Sequence, residues 1–559
     1  MTRGGRPAPL IAASILVALG VAAPAPAGHR TVPAAVVAAS EDAGGFNIPV
    51  SCCNSSWSSW MGAEEALRGA FLQQPNGRWV KELVSAASAD ATSVTYTIRP
   101  NARWYWGGRS VPVTFRDFVY TLDQLDDPNN PVVDRSGYAN LDPARFSHIG
   151  LRRVTFFWRT TGCGDETPCG AYGDWQKLFS TLYPSFALRG LSFTTMWTDC
   201  ICGFDGKPVA DGPYYLAAYT KGVGSILRAN PFWAGSKPSI PEIDFRVIAD
   251  PAAQVQALQM HQVDVIAPPL GPYLLAVKNA KGTTFTEIAG DAVEHVLFRE
   301  GRGSSNVLLR APFVRQAIGL ALDRDALVAA VYGDLAERTV PLNSDLFYAG
   351  ETGYRADFAR WGYNPRAALA LMARHCTGGP AAPDPATTKV WVCSGLPATF
   401  TWTWPSGDTE RAVIEAIAQA ELRSVGIQVI SRPLPASVFY GVGGIASGAY
   451  DIAEVPDATG GDPGEWSGLY GCRSPANLTG FCSRRVDMAF EAASRQTDPR
   501  ARMRILGEAD ALLSKAVPVF PLYQPLDALV HVSRLAGLVD SAGPGGPFWN
   551  VERWRWTRS

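Results

Sequence analysis

The chain has 559 residues, too many for one compact core, so two to four domains or subdomains are expected. Its composition is ordinarily globular, 47% hydrophobic and 18% charged, and the net charge of −1 leaves no basic footprint for nucleic acid as the main partner. Seventeen Trp is a high count, and Trp both fills cores and stacks on ligands in pockets.

The first residues, MTRGGRPAPLIAASILVALGVAAPAPAGHR, place Arg3 and Arg6 before an apolar run that ends in Ala25-Pro26-Ala27. This pattern predicts a Sec-type signal peptide over 1–27 and an exported protein. The apolar run is shorter than the ~20 residues a spanning helix needs. No Cys precedes Cys52, so no lipidated cysteine is expected at the cleavage point. Residues 28–45 are Ala/Val/Gly-rich with no clean period and read as a disordered lead-in.

Strand and helix signals then alternate. VTYTI (94–98) alternates like a strand, and three aromatics, Trp104 to Trp106, run into Gly107-Gly108, which reads as a turn. Thr114 with Asp117 predicts a capping box ahead of Phe118, Leu122 and Leu125 at helical spacing. IDFRVI (243–248), Asp250-Pro251 and VDVI (263–266) make a strand–helix–strand unit. Further helices are expected over 311–333, 408–426 and 498–516, with an extended VPVFPLY after the last. No 20–50-residue repeat is visible.

Enzyme signatures are missing. There is no G-x-S-x-G elbow, no phosphate loop and no H-x-x-x-H pair among the six His. No catalytic residue, metal ligand or cofactor is therefore assigned. The ten Cys fit an oxidising compartment. Local bridges are expected for Cys163 with Cys169, Cys376 with Cys393, and Cys472 with Cys482. Cys52, Cys53, Cys200 and Cys202 remain with their connectivity open; bridging the first pair to the second would tie the N-terminus to a distant loop, and each bridge is worth roughly 2–4 kcal/mol. The spacing Cys200-x-Cys202, with no His nearby, argues against zinc.

Several segments, taken in order, resemble one family. YTIRPNARWYWGGRSVPVTFRDFVYTLDQLDDP is similar to its strand–aromatic–turn–helix signature, and DGPYYLAAYTKGVGSILRANPFW to its G-P-Y strand ending in R-N-P. IDFRVIADPAAQVQALQMHQVDVI, PFVRQAIGLALDRDALV, and the stretch from FCSRRVDMAF to VPVFPLYQP complete the series. Together they resemble the extracellular solute-binding proteins, family 5, of peptide/nickel ABC importers. Departures are Gly107-Gly108 where D-G is usual, His261-Gln262-Val263-Asp264 where G-x-[IV]-D is usual, and IPVSCCNSSWSSW before the first helix. YDIAEVPDATGGDPGEWSGLYGC also stands where the family often shows W-x-x-D-x-x-D-P.

The resemblance implies an α/β, two-lobed periplasmic-binding-protein-like fold (class II) with a hinge and an extra α/β subdomain in the first lobe. It implies lobe I from 46–80, 205–295 and 519–559, the extra subdomain at 81–204 and lobe II at 296–518. It implies a monomer that captures a peptide or other oligomeric solute and meets the membrane only through permease subunits, in the periplasm or at the cell envelope. A secreted hydrolase and an envelope sensor or scaffold are the competing classes. Asp457 is the implied amine-recognising carboxylate; Asp462 is a turn-maker ahead of Pro463 or a second contact. Trp402 and Trp404, two apart in FTWTWPSGD, share a strand face and line the cleft or fill the core together. Trp57, Trp60 and Trp466 are further candidates.

Overall fold

The computed structural model describes residues 34–557 apart from 164–168, 291, 302–303, 336–340, 442, 459–462, 475, 540 and 542–544. The expected signal peptide, 1–27, lies outside the described residues.

The chain opens with β1 (Ala34–Ala39), in which every residue is buried. This corrects the expected lead-in over 28–45. A strand covered on both faces reads as an unbroken apolar run, so AAVVAA lacks the alternation that marks a half-exposed strand. A helical run over 56–66 follows, then the hairpin β2 (Phe71–Gln73) and β3 (Trp79–Lys81).

The next part carries β4 (Val84–Ala89), β5 (Ser93–Ile98), β6 (Arg103–Trp106), β7 (Arg109–Pro112), α1 (Phe115–Asp126), β8 (Leu141–Ile149) and β9 (Arg153–Trp158). Strands β4-β5-β9-β8 form one antiparallel sheet. Gly107 and Gly108 take φ of 52° and 88° and close the β6–β7 turn, a conformation glycine adopts without steric cost. The α1 capping box is complete, and Trp104, fully buried, donates its indole N–H to Asp117 at 3.3 Å.

Chain tracing continues through β10 (Tyr214–Thr220), β11 (Gly224–Ala229), β12 (Glu242–Val247), α2 (Pro251–Gln259), β13 (Val265–Ile266) and β14 (Thr283–Ala289). Then come β15 (Ala292–Phe298), β16 (Thr399–Ser406), α3 (Thr409–Ser424), β17 (Gln428–Pro435) and β18 (Ile452–Ala458). They are followed by α4 (Arg484–Arg495), α5 (Pro499–Ala516), β19 (Val519–Tyr523) and β20 (Leu526–Val532).

Two mixed sheets organise these parts. One has the order β10-β11-β12-β1-β13-β20-β14, with β1 parallel to β12 and β13. The other has the order β17-β16-β18-β15-β19, with β16 parallel to β17 and β18. We refer to them as the lobe I and lobe II sheets. Strands β15 and β19 belong to the second sheet, so the chain crosses between sheets at 289–292 and 523–526, not at 295/296 and 518/519. The crossings are bonded to each other: Gly290 N–H donates to the Pro525 carbonyl at 2.9 Å, and Gln524 Nε2 to the Gly290 carbonyl at 2.6 Å.

Five disulfides close within the chain: Cys163–Cys169, Cys376–Cys393, Cys472–Cys482, Cys52–Cys53 and Cys200–Cys202. The connectivity left open by the sequence is local: Cys52 pairs with Cys53 and Cys200 with Cys202, and neither pair links to the other. Backbone pairing already joins the two segments. Phe46 N–H donates to the Trp197 carbonyl at 2.8 Å and Asn47 Nδ2 to the Phe193 carbonyl at 2.6 Å.

Candidate ligand-binding cleft

In open α/β sheets, ligands bind outside the carboxyl ends of parallel strands. Here the carboxyl ends of β1 and β13 in lobe I, and of β16 and β18 in lobe II, lie toward the double crossing. The register shows this directly: β15 starts opposite Ala458 at the end of β18, and Asp527, just past the crossing, bridges to Pro269 beyond β13. Two sets of strand ends therefore converge on one hinge.

The lobe I wall is aromatic. Ser40 and Glu41 follow β1, and with Trp57, Trp60, Ile288 and Asp527 they enclose a recess of about 270 Å³. Trp57 and Trp60 meet edge to face at 5.0 Å, and both rings rest against Phe548 at 5.9 and 5.5 Å. Trp57 is buried, whereas Trp60 is half-buried.

The lobe II wall is ionic. Asp408 caps α3, accepting the N–H groups of Glu410 and Arg411, and pairs with the Arg411 guanidinium. That guanidinium also grips Glu294 of β15 in a fork, Nε to Oε1 at 3.0 Å and Nη2 to Oε2 at 2.7 Å. Burial pushes Glu294 up to about 7 despite Arg411. Beside it Glu454 of β18, fully buried, accepts the Trp402 indole N–H at 3.1 Å and is raised further by burial and by Glu294.

On the other face of the sheet, His295 Nε2 meets Asp457 Oδ2 at 2.9 Å; the histidine is fully buried and the Asp457 side chain is 33% exposed. Burial alone would lower the His295 pKa. The hydrogen bond and charge of Asp457, joined by Asp345 and Glu294, outweigh it and raise the pKa above its ordinary value. Behind this pair, Asp345 accepts the Tyr470 hydroxyl, and burial raises it to about 6.

Opposite the hinge, the extra subdomain touches lobe II. Gly173 N–H donates to the Ser494 carbonyl at 2.5 Å, and the Trp175 indole to the Thr497 carbonyl at 2.8 Å. Lys177 pairs with Asp134 at 3.6 Å and with Glu465 across the seam. From the β2–β3 turn, the Asn76 carbonyl accepts the Thr352 N–H at 3.2 Å. The lobes thus touch at hinge and seam together.

The residues singled out in the sequence separate sharply. Asp457 stands at the rim on the carboxyl end of β18. Trp404 is half-buried at the end of β16, its indole N–H on Ser431 Oγ at 3.3 Å. Trp402, two residues earlier on the same face, is fully buried and committed to Glu454, so it is core and not a ligand contact. Trp466 is also buried, its ring 6.0 Å from His295, and it packs behind the wall. Asp462 lies outside the described residues. Sequence reading missed Glu294, His295 and Arg411. The available signal was a Glu-His pair at the centre of the otherwise apolar strand AVEHVLF.

Residues 78–477 match the family model described as bacterial extracellular solute-binding proteins, family 5, middle. The oligopeptide-binding protein OppA of Mycobacterium tuberculosis is 24% identical over 488 residues, 84% of this chain and 76% of its own length. Among solved structures, the Bacillus subtilis oligopeptide-binding protein AppA, in complex with a nonapeptide, superposes with a TM-score of 0.64 at 18% identity, covering 94% of this chain and 99% of its own. Brucella suis NikA, in complex with Fe(III)-EDTA, gives 0.70 at 16% identity, covering 94% and 100%. The chain belongs to the bacterial extracellular solute-binding proteins, family 5.

Proposed function

We propose that this protein is the exported binding component of an ABC importer. It captures a peptide or similar oligomeric solute between its lobes and delivers it to a membrane permease. The observation that carries this reading is the pairing of an aromatic wall with an ionic wall across one hinge. Such a cleft holds side chains on one face and charged termini on the other. Ligand favours the closed arrangement because only there do both walls contact it, so binding shifts the equilibrium toward closure. No covalent step is needed, and the relatives named above are binding proteins.

Asp457 is the proposed partner for the solute's ammonium group, and Trp60 and Trp404 are the proposed aromatic contacts elsewhere in the cleft. Residues 1–27 serve in this reading as the export signal. Among the described residues no helix is long and apolar enough to cross a membrane. The test is a thermal-shift screen of the mature protein against a pool of tri- to hexapeptides. A binder gains stability through mass action, about 2.7 kcal/mol at a hundredfold excess over Kd. No shift with any peptide, together with turnover of one of them, would sink the proposal.

A further inference from the structure

We propose that the aromatic recess on the lobe I wall receives a cationic side chain of the solute, held by Glu41 and Asp527 against Trp57 and Trp60. This inference rests on the solute-capture reading above and assigns a side-chain preference to one part of the cleft.

The recess lies where the lobe I strands meet the double crossing. Glu41 follows β1, Pro269 lies beyond β13, Ile288 is near the end of β14, and Asp527 is near the start of β20. Trp57 and Trp60 come from the helical run and complete the wall. At about 270 Å³ the recess is smaller than the ~300–1,000 Å³ of pockets that enclose whole small ligands, and it suits one side chain. Its charged lining residues are Glu41 and Asp527, both carboxylates; among the described residues no Lys, Arg or His lines it.

Neighbouring charges do not reverse that sign. Asp42, next in the chain, is turned away to the Tyr219 hydroxyl at 3.0 Å and the Gly222 N–H at 2.7 Å. The helical run over 56–66 holds no cation. Arg68, just beyond it, is buried against Glu65 at 3.0 Å, with Glu552 at 3.6 Å and Glu64 at 4.0 Å. Arg246, opposite Ala38 near the end of β1, pairs with Asp244 at 2.7 Å. Lys278 lies over the Phe285 ring, on the face of β14 opposite to Ile288. On the facing wall, Arg411 is paired with Glu294 and Asp408. Glu41 itself is exposed and makes no ion pair among the described residues.

The two materials of the recess act on a cation together. An indole face attracts positive charge through its quadrupole, most strongly among the aromatic rings. A carboxylate adds a charge-assisted hydrogen bond. A neutral side chain gains only the burial, and an acidic one meets two like charges. In water such an ion pair contributes little, but closure of the lobes over the solute excludes water and strengthens it. The preference is therefore expressed on closing.

Reach agrees with an oligomeric solute. Ile288 lies five residues before Val293, the strand partner of Asp457, so the recess and Asp457 are at most about 23 Å apart. A hexapeptide held at Asp457 by its ammonium covers about 20 Å, and a Lys or Arg side chain covers the remainder.

The experiment titrates the mature protein by calorimetry at fixed pH and ionic strength. The probes are alanine tri- to hexapeptides in which one residue after the first is replaced in turn. The replacement is Arg, its neutral isostere citrulline, Lys, its neutral counterpart norleucine, or Glu. The same titrations are run on Glu41→Gln/Asp527→Asn, which removes both charges at nearly constant shape and is checked by circular dichroism. Glu41→Gln alone, at an exposed residue, carries the test if the double variant does not fold. At one position, Arg or Lys is expected to bind about tenfold or more tighter than its neutral counterpart, with Glu weakest. That preference is lost in the double variant and reduced in the single one. Arg over citrulline assigns a guanidinium to the recess, and Lys over norleucine an ammonium. No preference for a cation at any position, or one that survives undiminished in the variants, overturns the inference and leaves peptide capture standing. Failure of every peptide sinks peptide capture, and this inference with it.

Discussion

The two walls of the cleft are built from opposite materials. On lobe I, Trp57, Trp60 and Phe548 form an aromatic cluster next to the exposed Glu41. On lobe II, charges gather on both faces of the sheet, Arg411 with Glu294, Asp408 and Glu454 on one and His295 with Asp457 on the other, most of them buried. The difference teaches a division of labour. An aromatic wall tolerates varied side chains, since stacking and burial are not directional in the way ion pairs are. A network of paired charges holds one geometry and fixes what lies at the end of a ligand.

The comparison is broken hardest by Arg411→Ala. It leaves Glu294 and Glu454 buried without their cation and is expected to destabilise by about 3–5 kcal/mol in denaturant unfolding. A loss under 1 kcal/mol would show that water replaces the guanidinium and that the wall is softer than its geometry indicates. Next, Asp457→Asn is expected to weaken binding of a free-amine peptide by about tenfold to a hundredfold, with N-acetylated peptide nearly unaffected. Equal effects on both would place the ammonium elsewhere. On the other wall, Trp60→Ala is expected to cost about 1–2 kcal/mol of affinity across peptides of any terminus. If Trp60→Ala discriminates between termini, the two walls are not divided as argued.

The smallest effect concerns pH. Burial raises Asp345 to about 6 and Asp510 to about 7, and His295 is raised by Asp457 and its neighbours. Each group keeps its proton in the folded state where the unfolded chain releases it. The carboxyls lose their contribution as pH climbs from about 4 through their folded values, and His295 loses its own above its ordinary value. All three pull the same way, so the thermal midpoint is expected to fall between pH 5 and pH 8. Asp510→Asn, which can keep the acceptor for the Asp345 and Leu346 N–H groups, should flatten that slope.

Local devices were legible in the sequence because they need only neighbours. Thr114 with Asp117 and Asp250 before Pro251 cap the helices expected of them. Trp402 and Trp404 do share a face, as their spacing required, but spacing is silent about depth along the strand. That is why one is core and the other rim. The strand β1 was missed because full burial erases alternation. The lobe II wall was missed because Glu294 and Arg411, like His295 and Asp457, come from separate elements, and no local spacing records that each pair meets.

The double crossing has a consequence for how the chain is made. Lobe II is drawn from one uninterrupted stretch, 292–523, whereas the lobe I sheet joins β1 to β20 at the far end of the chain. During vectorial synthesis, lobe II has every strand it needs while the lobe I sheet still lacks the partner of β13 and β14. β1 already has both of its partners, β12 and β13, and it is β13 and β14 that wait for the last strand to join them. Completion of the lobe I sheet is therefore gated by its last strand, and a chain ending before 526 keeps its charged wall opposite a sheet from which β14 is left unjoined.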